Sequence, residues 1–239
     1  MGFNEGDFLR IEYTTWRAAD NSLVYTTDKE VAKKNDAFDE KARYKPELVI
    51  VGKGTVIPGI EKELRGMSLN QSKKLELEPK DAFGERSQDA VRVMPLSDFR
   101  AREINPYPGM RLDIDGVPVT IKSVNGGRVL VDANHPLAGE KLVCEVKVIA
   151  KIDGDKEKVT TFAENYDIPA DSVAIEGGVA RISFGQKVKK DADYFIHKDV
   201  MVAAILKHLP NVSKVVISEE YVREEKEGKK DTEQTAAEK

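Results

Sequence analysis

The sequence has little of what several protein classes require. It holds one cysteine, Cys144, in 239 residues, so an internal disulfide is excluded and a reducing compartment is expected. No apolar run approaches the roughly 18 residues of a membrane-spanning helix. The N-terminus, MGFNEGDFLR, lacks the basic start and apolar core of a secretion signal. We therefore expect a cytoplasmic protein with no membrane partner.

Neither sign of charge dominates. The 38 basic and 42 acidic side chains give a formal net charge of −4, and both signs are mixed along the chain. A nucleic-acid-binding protein needs a basic face to meet phosphates, so we expect no nucleic-acid partner. The hydrophobic fraction of 40% is enough to bury cores, and the length favours two or three domains.

Histidine is also scarce. The three histidines, His135, His197 and His208, are too scattered to predict a metal site. His135 precedes a proline and is interpreted as a structural histidine of a loop. We therefore expect neither a metal nor a cofactor.

The rest of the chain is organised around the stretch from Val51 to Glu85. It contains a short helix that begins near Pro58, a residue suited to the first helical position. Ile60 and Leu64 are four residues apart and should share one face of this helix. Gly66 stands where a left-handed residue would end it. A helix with an apolar N-terminal end, held against a sheet, predicts a concave apolar surface.

The flanking segments predict that sheet. Alternation of apolar and polar residues indicates strands at 8–16, 23–27 and 142–152, and a run of four apolar residues indicates a strand at 48–51. The charged segment 28–45 is interpreted as a surface loop with a helical turn.

A small β-rich module is predicted between Glu85 and Asp132. Short strands are expected at 91–93, 110–115, 117–124 and 128–133, with a brief helix at 95–99. The sequences DG at 115–116 and NGG at 125–127 are strong hairpin signals. Both ends of the module return to the larger sheet, as an inserted domain requires.

A third unit follows from about residue 157. A short helix is predicted at 162–166, a strand at 179–184, an amphipathic helix at 191–209 and a strand at 215–217. The residues from 223 to 239 are charged and polar, which predicts a disordered tail.

Three motifs in order carry a family resemblance: GKGTVIPGIEKELRGM, then DAFG, then NHPLAG. They resemble the FKBP-type peptidyl-prolyl isomerases, in particular the long archaeal or SlyD-like branch with a domain inserted in the flap. The resemblance implies an α+β fold, with an FKBP-like antiparallel sheet wrapped on a short helix. The implied domains are 1–84 with 133–153 for the isomerase, 85–132 for the insert, and 156–222 for a C-terminal α+β domain.

The resemblance also implies rotation about Xaa-Pro bonds in an apolar pocket, with no catalytic acid, base or metal. The family's pocket falls on Tyr13, Val24, Tyr25, Val56, Ile57, Ile60, Phe83, Leu137 and Cys144. Several of these depart from the family pattern. Phe83 replaces a tyrosine, Cys144 a phenylalanine, Ile60 a tryptophan of other members, and Val24-Tyr25 a common Phe-Asp pair. Ile57 would supply a main-chain N–H to the peptide.

The insert is implied to bind extended segments of unfolded chains. Its candidate residues are Val91, Val93, Met94, Leu96, Phe99 and Tyr107, which could instead form its core. The implied partners are unfolded or proline-containing polypeptides, macrolide-type ligands, and a second copy of the chain through the C-terminal domain. The alternative functions are a non-catalytic holdase chaperone on the same fold and an assembly module built on the C-terminal domain.

Overall fold

The chain forms two compact units that meet in sequence between Asp153 and Gly154. This is a computed structural model, and it describes residues 2–185, 188 and 191–221. The α+β fold with antiparallel sheets and few helices is confirmed. The tail predicted at 223–239 lies outside the described residues. No described helix has the length and apolar character needed to cross a membrane.

The described part of the first unit contains nine strands, three α-helices and a short 3-10 helix at Pro79–Asp81. In chain order the strands and α-helices are β1 (Phe8–Arg17), β2 (Leu23–Thr26), α1 (Lys29–Lys34), β3 (Glu47–Ile50), α2 (Pro58–Leu64), β4 (Ser72–Leu77), β5 (Val91–Pro95), α3 (Leu96–Ala101), β6 (Arg111–Ile114), β7 (Val117–Asn125), β8 (Arg128–Asp132) and β9 (Leu142–Ile152).

The larger sheet has the order β2-β1-β9-β4, with β3 also paired to β1. All of these pairs are antiparallel. One edge of β1 is occupied by β9 along its whole length. On the other edge, β3 pairs with the first half of β1, and β2 pairs with the second half. The strands β2 and β3 therefore follow one another along the same edge.

The core of this unit lies between the sheet and α2. Ile60 and Leu64 are wholly buried, as their spacing predicted, and they pack with alternate residues of β1 and β9. Gly59 allows the helix to approach closely, because an added Cβ would lie 2.5 Å from Leu77 Cδ2 and 2.9 Å from the Asp81 carbonyl oxygen.

The prediction for Gly66 is wrong. Gly66 is not among the residues with positive φ. The end of α2 tightens instead, with Gly66 N–H donating to Glu63 O at 3.0 Å and Met67 N–H to Leu64 O at 3.1 Å. These i→i+3 turns satisfy carbonyls at the helix end without a left-handed residue. After the helix, the first residue with a positive φ is Asn70.

The inserted sheet has the order β5-β8-β7-β6 and is antiparallel throughout. Both predicted hairpins are confirmed. Asp115 and Gly116 have positive φ, as do Gly126 and Gly127, which is the pattern of a two-residue turn matched to strand twist. Its core consists of Phe99, Val119, Ile121, Val129 and Val131.

Hydrogen bonds join the two segments that connect the insert to the larger sheet. Ser87 N–H donates to Asn134 Oδ1 at 2.8 Å, and Asn134 Nδ2 donates back to Ser87 O at 2.8 Å. Arg86 pairs with the buried carboxylate of Asp132. Burial alone would raise the pKa of Asp132, but hydrogen bonds from Asn134 and the Arg86 charge outweigh it and lower that pKa. The two ends of the insert are thus held side by side.

The second unit contains α4 (Asp155–Asn165), β10 (Ser172–Glu176), β11 (Val179–Phe184), α5 (Ala192–His208) and β12 (Lys214–Glu219). The strands β10 and β11 are antiparallel, while β11 and β12 are parallel and joined by α5. The helix predicted at 162–166 begins earlier, at Asp155. Its first turn carries Asp155 and Glu157, and acidic residues stabilise the start of a helix. The strand β10 was not predicted.

Candidate functional site: an apolar surface between α2 and the sheet

The floor of the candidate site is formed by Ile60 of α2 and Cys144 of β9, both wholly buried. Five partly buried residues pack against the same core: Tyr13, Val24, Val56, Ile57 and Phe83. Seven of the nine residues carried over from the family therefore belong to one apolar cluster. Since the five are only partly covered, this cluster presents an apolar surface to solvent.

Phe83 is held by the loop that contains the NHPLAG motif. Its ring stacks on that of His135, with centroids 4.2 Å apart and planes 5° from parallel. The Nδ1 atom of His135 accepts a hydrogen bond from Leu137 N–H at 3.1 Å. His135 thus orients both Phe83 and the half-buried Leu137, the eighth member of the set.

Tyr25, the ninth member, lies at the rim and is 37% exposed. Its ring contacts that of Tyr13, with centroids 4.9 Å apart, and its hydroxyl donates to the Glu47 carboxylate. Burial, a hydrogen bond to Glu47 and the negative charge of Glu47 together raise the pKa of Tyr25. Burial and the same carboxylate also raise the pKa of Tyr13. Both hydroxyls therefore keep their protons throughout the neutral range.

Glu47 was missed by the sequence analysis. It opens β3 and is paired with Ile11 of β1, while Tyr25 is paired with Thr15. Directly paired residues project to the same face of a sheet, so Glu47 and Tyr25 share the face of Ile11, Tyr13 and Thr15. Only the pairing of both strands with β1 reveals this, because 21 residues separate Tyr25 from Glu47 in the sequence.

Cys144 has no feature of a nucleophile. Its Sγ lies 3.2 Å from Thr15 Oγ1, and burial raises the pKa of its thiol. A reactive cysteine needs a lowered pKa and access to solvent. Cys144 is therefore part of the apolar floor.

The Ile57 N–H lies at the start of α2. Ile57 is the N-cap residue, and Pro58 follows at the first helical position. A helix leaves its first N–H groups without intrahelical partners. Ile57 is therefore placed to offer a main-chain donor beside its own apolar side chain.

The insert has a shallow apolar depression, which the charged residues Asp98 and Arg102 also border. Two candidates, Met94 and Phe99, line it together with Ile104, Leu112 and Ile114, three residues that the sequence analysis did not single out. The edge strand β6 supplies Leu112 and Ile114. Of the other candidates, Leu96 packs on the core, and Val91 lies half-buried on β5. Val93 and Tyr107 are 60% and 62% exposed.

Among the described residues, no group of three or more His, Cys, Asp or Glu side chains could hold a metal ion. His197 and His208 both lie on α5, and His135 lies in the first unit.

Two family models match the chain. One describes the FKBP-type peptidyl-prolyl cis-trans isomerase and matches residues 2–99. The other describes the IF domain of FKBP26 and matches residues 92–137. The second match covers most of the inserted sheet and the loop that holds His135.

Named relatives agree with these matches. A short-type peptidyl-prolyl cis-trans isomerase of Methanocaldococcus jannaschii is 31% identical over 144 residues, which is 60% of this chain and 90% of that protein. The isomerase SlyD of Haemophilus influenzae is 30% identical, over 51% of this chain and 65% of that protein. The Vibrio cholerae SlyD is 36% identical, over 41% and 51% respectively. The chain thus spans less than two thirds of either SlyD relative.

Proposed function

Because this chain belongs to the FKBP-type peptidyl-prolyl cis-trans isomerase family, we propose that it rotates Xaa-Pro bonds in unfolded or nascent polypeptides of the cytoplasm, with no cofactor. The observation that carries this proposal is the apolar surface formed by α2 and the sheet. Its floor is wholly buried, and five partly exposed residues surround that floor.

The chemistry requires binding rather than bond cleavage. The barrier to rotation about the C–N bond is about 18–20 kcal/mol and arises from resonance. A site lowers this barrier if it binds the twisted amide more tightly than the planar one. The twisted amide has less charge separation, so an apolar surface such as that of Ile57, Ile60 and Phe83 favours it. The proline ring would lie on the Ile60 floor, and Ile57 N–H would donate to a peptide carbonyl.

The isomerase proposal is tested by the exchange of a short Xaa-Pro peptide, measured by NMR with and without the protein. We expect faster exchange with the natural chain, since Phe83 retains the ring that a tyrosine would supply. Leu69→Ser is the matched control, because Leu69 is 51% exposed in the turn before β4, outside the site residues. It should leave the exchange rate unchanged.

The Phe83→Tyr variant separates the two functions considered. Faster peptide exchange with that variant alone would mean that the pocket is intact but needs the hydroxyl. If neither protein speeds up exchange and both bind an unfolded protein tightly, the result would favour the alternative of a non-catalytic holdase and refute the isomerase.

The inserted domain is proposed to hold unfolded segments for the isomerase site. Its shallow depression of Met94, Phe99, Ile104, Leu112 and Ile114 lies beside the edge strand β6. An extended peptide can pair with such an edge and lay alternate side chains over the depression. Two weak sites on one chain raise each other's effective affinity.

Removal of residues 85–132, with a glycine linker from Gly84 to Ala133, tests this role. The bond from Gly139 N–H to Gly84 O, 2.8 Å long, should survive the deletion. Aggregation suppression should disappear while exchange of short peptides persists. The double variant Leu112→Ser with Ile114→Ser should behave like the deletion. Undiminished suppression in both proteins would exclude the proposed role.

The second unit is proposed to form a homodimer through α5. This helix buries Tyr194, Met201 and Ile205 on one side. It also exposes Phe195, Ile196, Val200 and Leu206, by 44%, 60%, 45% and 46%. A helix that is apolar on several sides is normally covered. Light scattering should report a dimer that dissociates in Ile196→Lys with Val200→Glu but not in Asp199→Asn. A monomeric natural chain would refute dimerisation.

Binding of macrolide-type ligands to the same apolar surface remains a prediction. Binding of such a ligand should compete with the Xaa-Pro peptide, because both would occupy the Ile60 floor. Unaltered peptide exchange at saturating macrolide would exclude a shared site.

A further inference from the structure

A cavity of about 470 Å³ opens beside Tyr25, between β2, α1 and the loop that leads to β3. Its walls are mainly apolar, with Val24 and three alanines, Ala32, Ala37 and Ala42. Three charged residues also line it: Asp39, Arg43 and Glu47. Their formal charges sum to −1, because Asp39 and Arg43 offset each other and Glu47 remains.

The cavity and the isomerase site share a wall. Val24 and Tyr25 belong to both, since Val24 packs on the core of the site and Tyr25 contacts the ring of Tyr13. A peptide with its proline on the Ile60 floor would therefore have a neighbouring side chain within reach of the cavity.

The polar atoms at this boundary are acceptors. The Tyr25 hydroxyl has one proton and donates it to Glu47. The Tyr25 hydroxyl oxygen and the Glu47 carboxylate thus present lone pairs and a negative charge. Such a boundary attracts a cationic group and repels a carboxylate.

We propose that Glu47, with Tyr25, is a specificity-determining residue that selects substrates with a lysine or arginine next to the proline. The aliphatic stem of that side chain lies along Val24 and the alanine wall, and its cationic head reaches the Glu47 carboxylate. The inference rests on the proposed isomerase function and deepens it.

The test uses the full chain and peptides that differ only in the residue before the proline, which is lysine, leucine or glutamate. A second set varies the residue after the proline in the same way. We expect kcat/KM to favour lysine over glutamate at least fivefold in one of the sets, since one charge pair about 4 Å apart in water changes an equilibrium about fivefold. Added salt should reduce the ratio.

Three variants assign the effect to Glu47. Glu47→Gln should bring the lysine-to-glutamate ratio close to one, while Glu47→Asp should keep part of it. Glu12→Gln is the matched control, because Glu12 is next to Tyr13 in sequence but projects to the opposite face of β1, where it lines a different cleft. It should keep the full ratio.

The outcomes separate the two levels of the proposal. Equal catalysis of all peptides by the natural chain overturns the role of Glu47 and leaves the isomerase function intact. An equal loss of preference in Glu47→Gln and Glu12→Gln also overturns it, because the effect would then be one of net charge. No catalysis of any peptide overturns the isomerase function and this inference with it.

Discussion

Replacing Gly59 by alanine should destabilise the first unit, although alanine is the better helix former. The added Cβ would lie 2.5 Å from Leu77 Cδ2 and 2.9 Å from the Asp81 carbonyl oxygen. Overpacking of this kind costs about 1–3 kcal/mol, and the gain in helix propensity is about 1 kcal/mol. The difference is a net loss of about 0–2 kcal/mol. Since the Asp81 oxygen belongs to the backbone and cannot rotate away, we expect the upper part of this range.

The assay is urea unfolding followed by the fluorescence of Trp16. This is the only tryptophan of the sequence, and it lies in β1, paired with Leu23 and Val143. The signal therefore reports the larger sheet rather than the second unit, whose separate unfolding would complicate a global probe. Displacement of α2 should also lower kcat/KM, since the helix carries Ile60 and begins beside Ile57.

Gly66→Ala is the matched control at the other end of α2. An added Cβ there would meet only the Glu63 carbonyl oxygen, at 3.7 Å, and Gly66 does not have a positive φ. This variant should be neutral or more stable by about 0.4–1 kcal/mol, because the unfolded chain loses freedom. A Gly59→Ala protein at least as stable as Gly66→Ala would refute the close-approach explanation.

Three further predictions concern individual side chains. Asp132→Asn should weaken the junction of the insert by about 1–3 kcal/mol. The natural chain should lose the same contribution as the pH falls below about 4 and through the lowered pKa of Asp132. The variant should show no such loss when unfolding is monitored by Trp16 across pH. Hydrogen bonds from Lys198 and Tyr221 lower the pKa of Glu219 to about 2. Glu219 should therefore stabilise the second unit at pH values above its ordinary pKa of 4.5 and lose that effect towards pH 2. Circular dichroism of Glu219→Gln should show no such acid-dependent step. His135→Ala should lower kcat/KM, because it uncovers one face of Phe83 and frees Leu137 N–H, but it should leave the Trp16 unfolding midpoint nearly unchanged. An unchanged kcat/KM would exclude a positioning role for this exposed histidine.

Local signals in the sequence were sufficient for many elements. The DG and GG turns at 115–116 and 126–127 adopt the positive φ values that their residue types favour. Ile60 and Leu64 are buried as their four-residue spacing indicated. These outcomes depend on backbone conformation and on periodicity over a few residues, which neighbours in sequence decide.

Other predictions failed because a competing local preference prevailed. Gly66 could have ended α2 in the left-handed region, but two i→i+3 hydrogen bonds close the helix instead. The charged residues that follow Asp155 suit a loop as well as a first helical turn, and α4 begins there rather than at 162. Composition alone does not distinguish these alternatives, since the same residues are compatible with both.

The sequence by itself determined the family and the α+β class, and it predicted the apolar residues of the candidate site, because motifs, periodicity and turn chemistry are local properties of the chain. The tertiary structure decided which polar groups meet at that site. Glu47 joins Tyr13 and Tyr25 because β2 and β3 share one edge of β1, and His135 covers Phe83 because the chain returns from the insert beside Gly84. Such contacts depend on strand register across long separations, where a shift of one residue would turn each side chain to the opposite face.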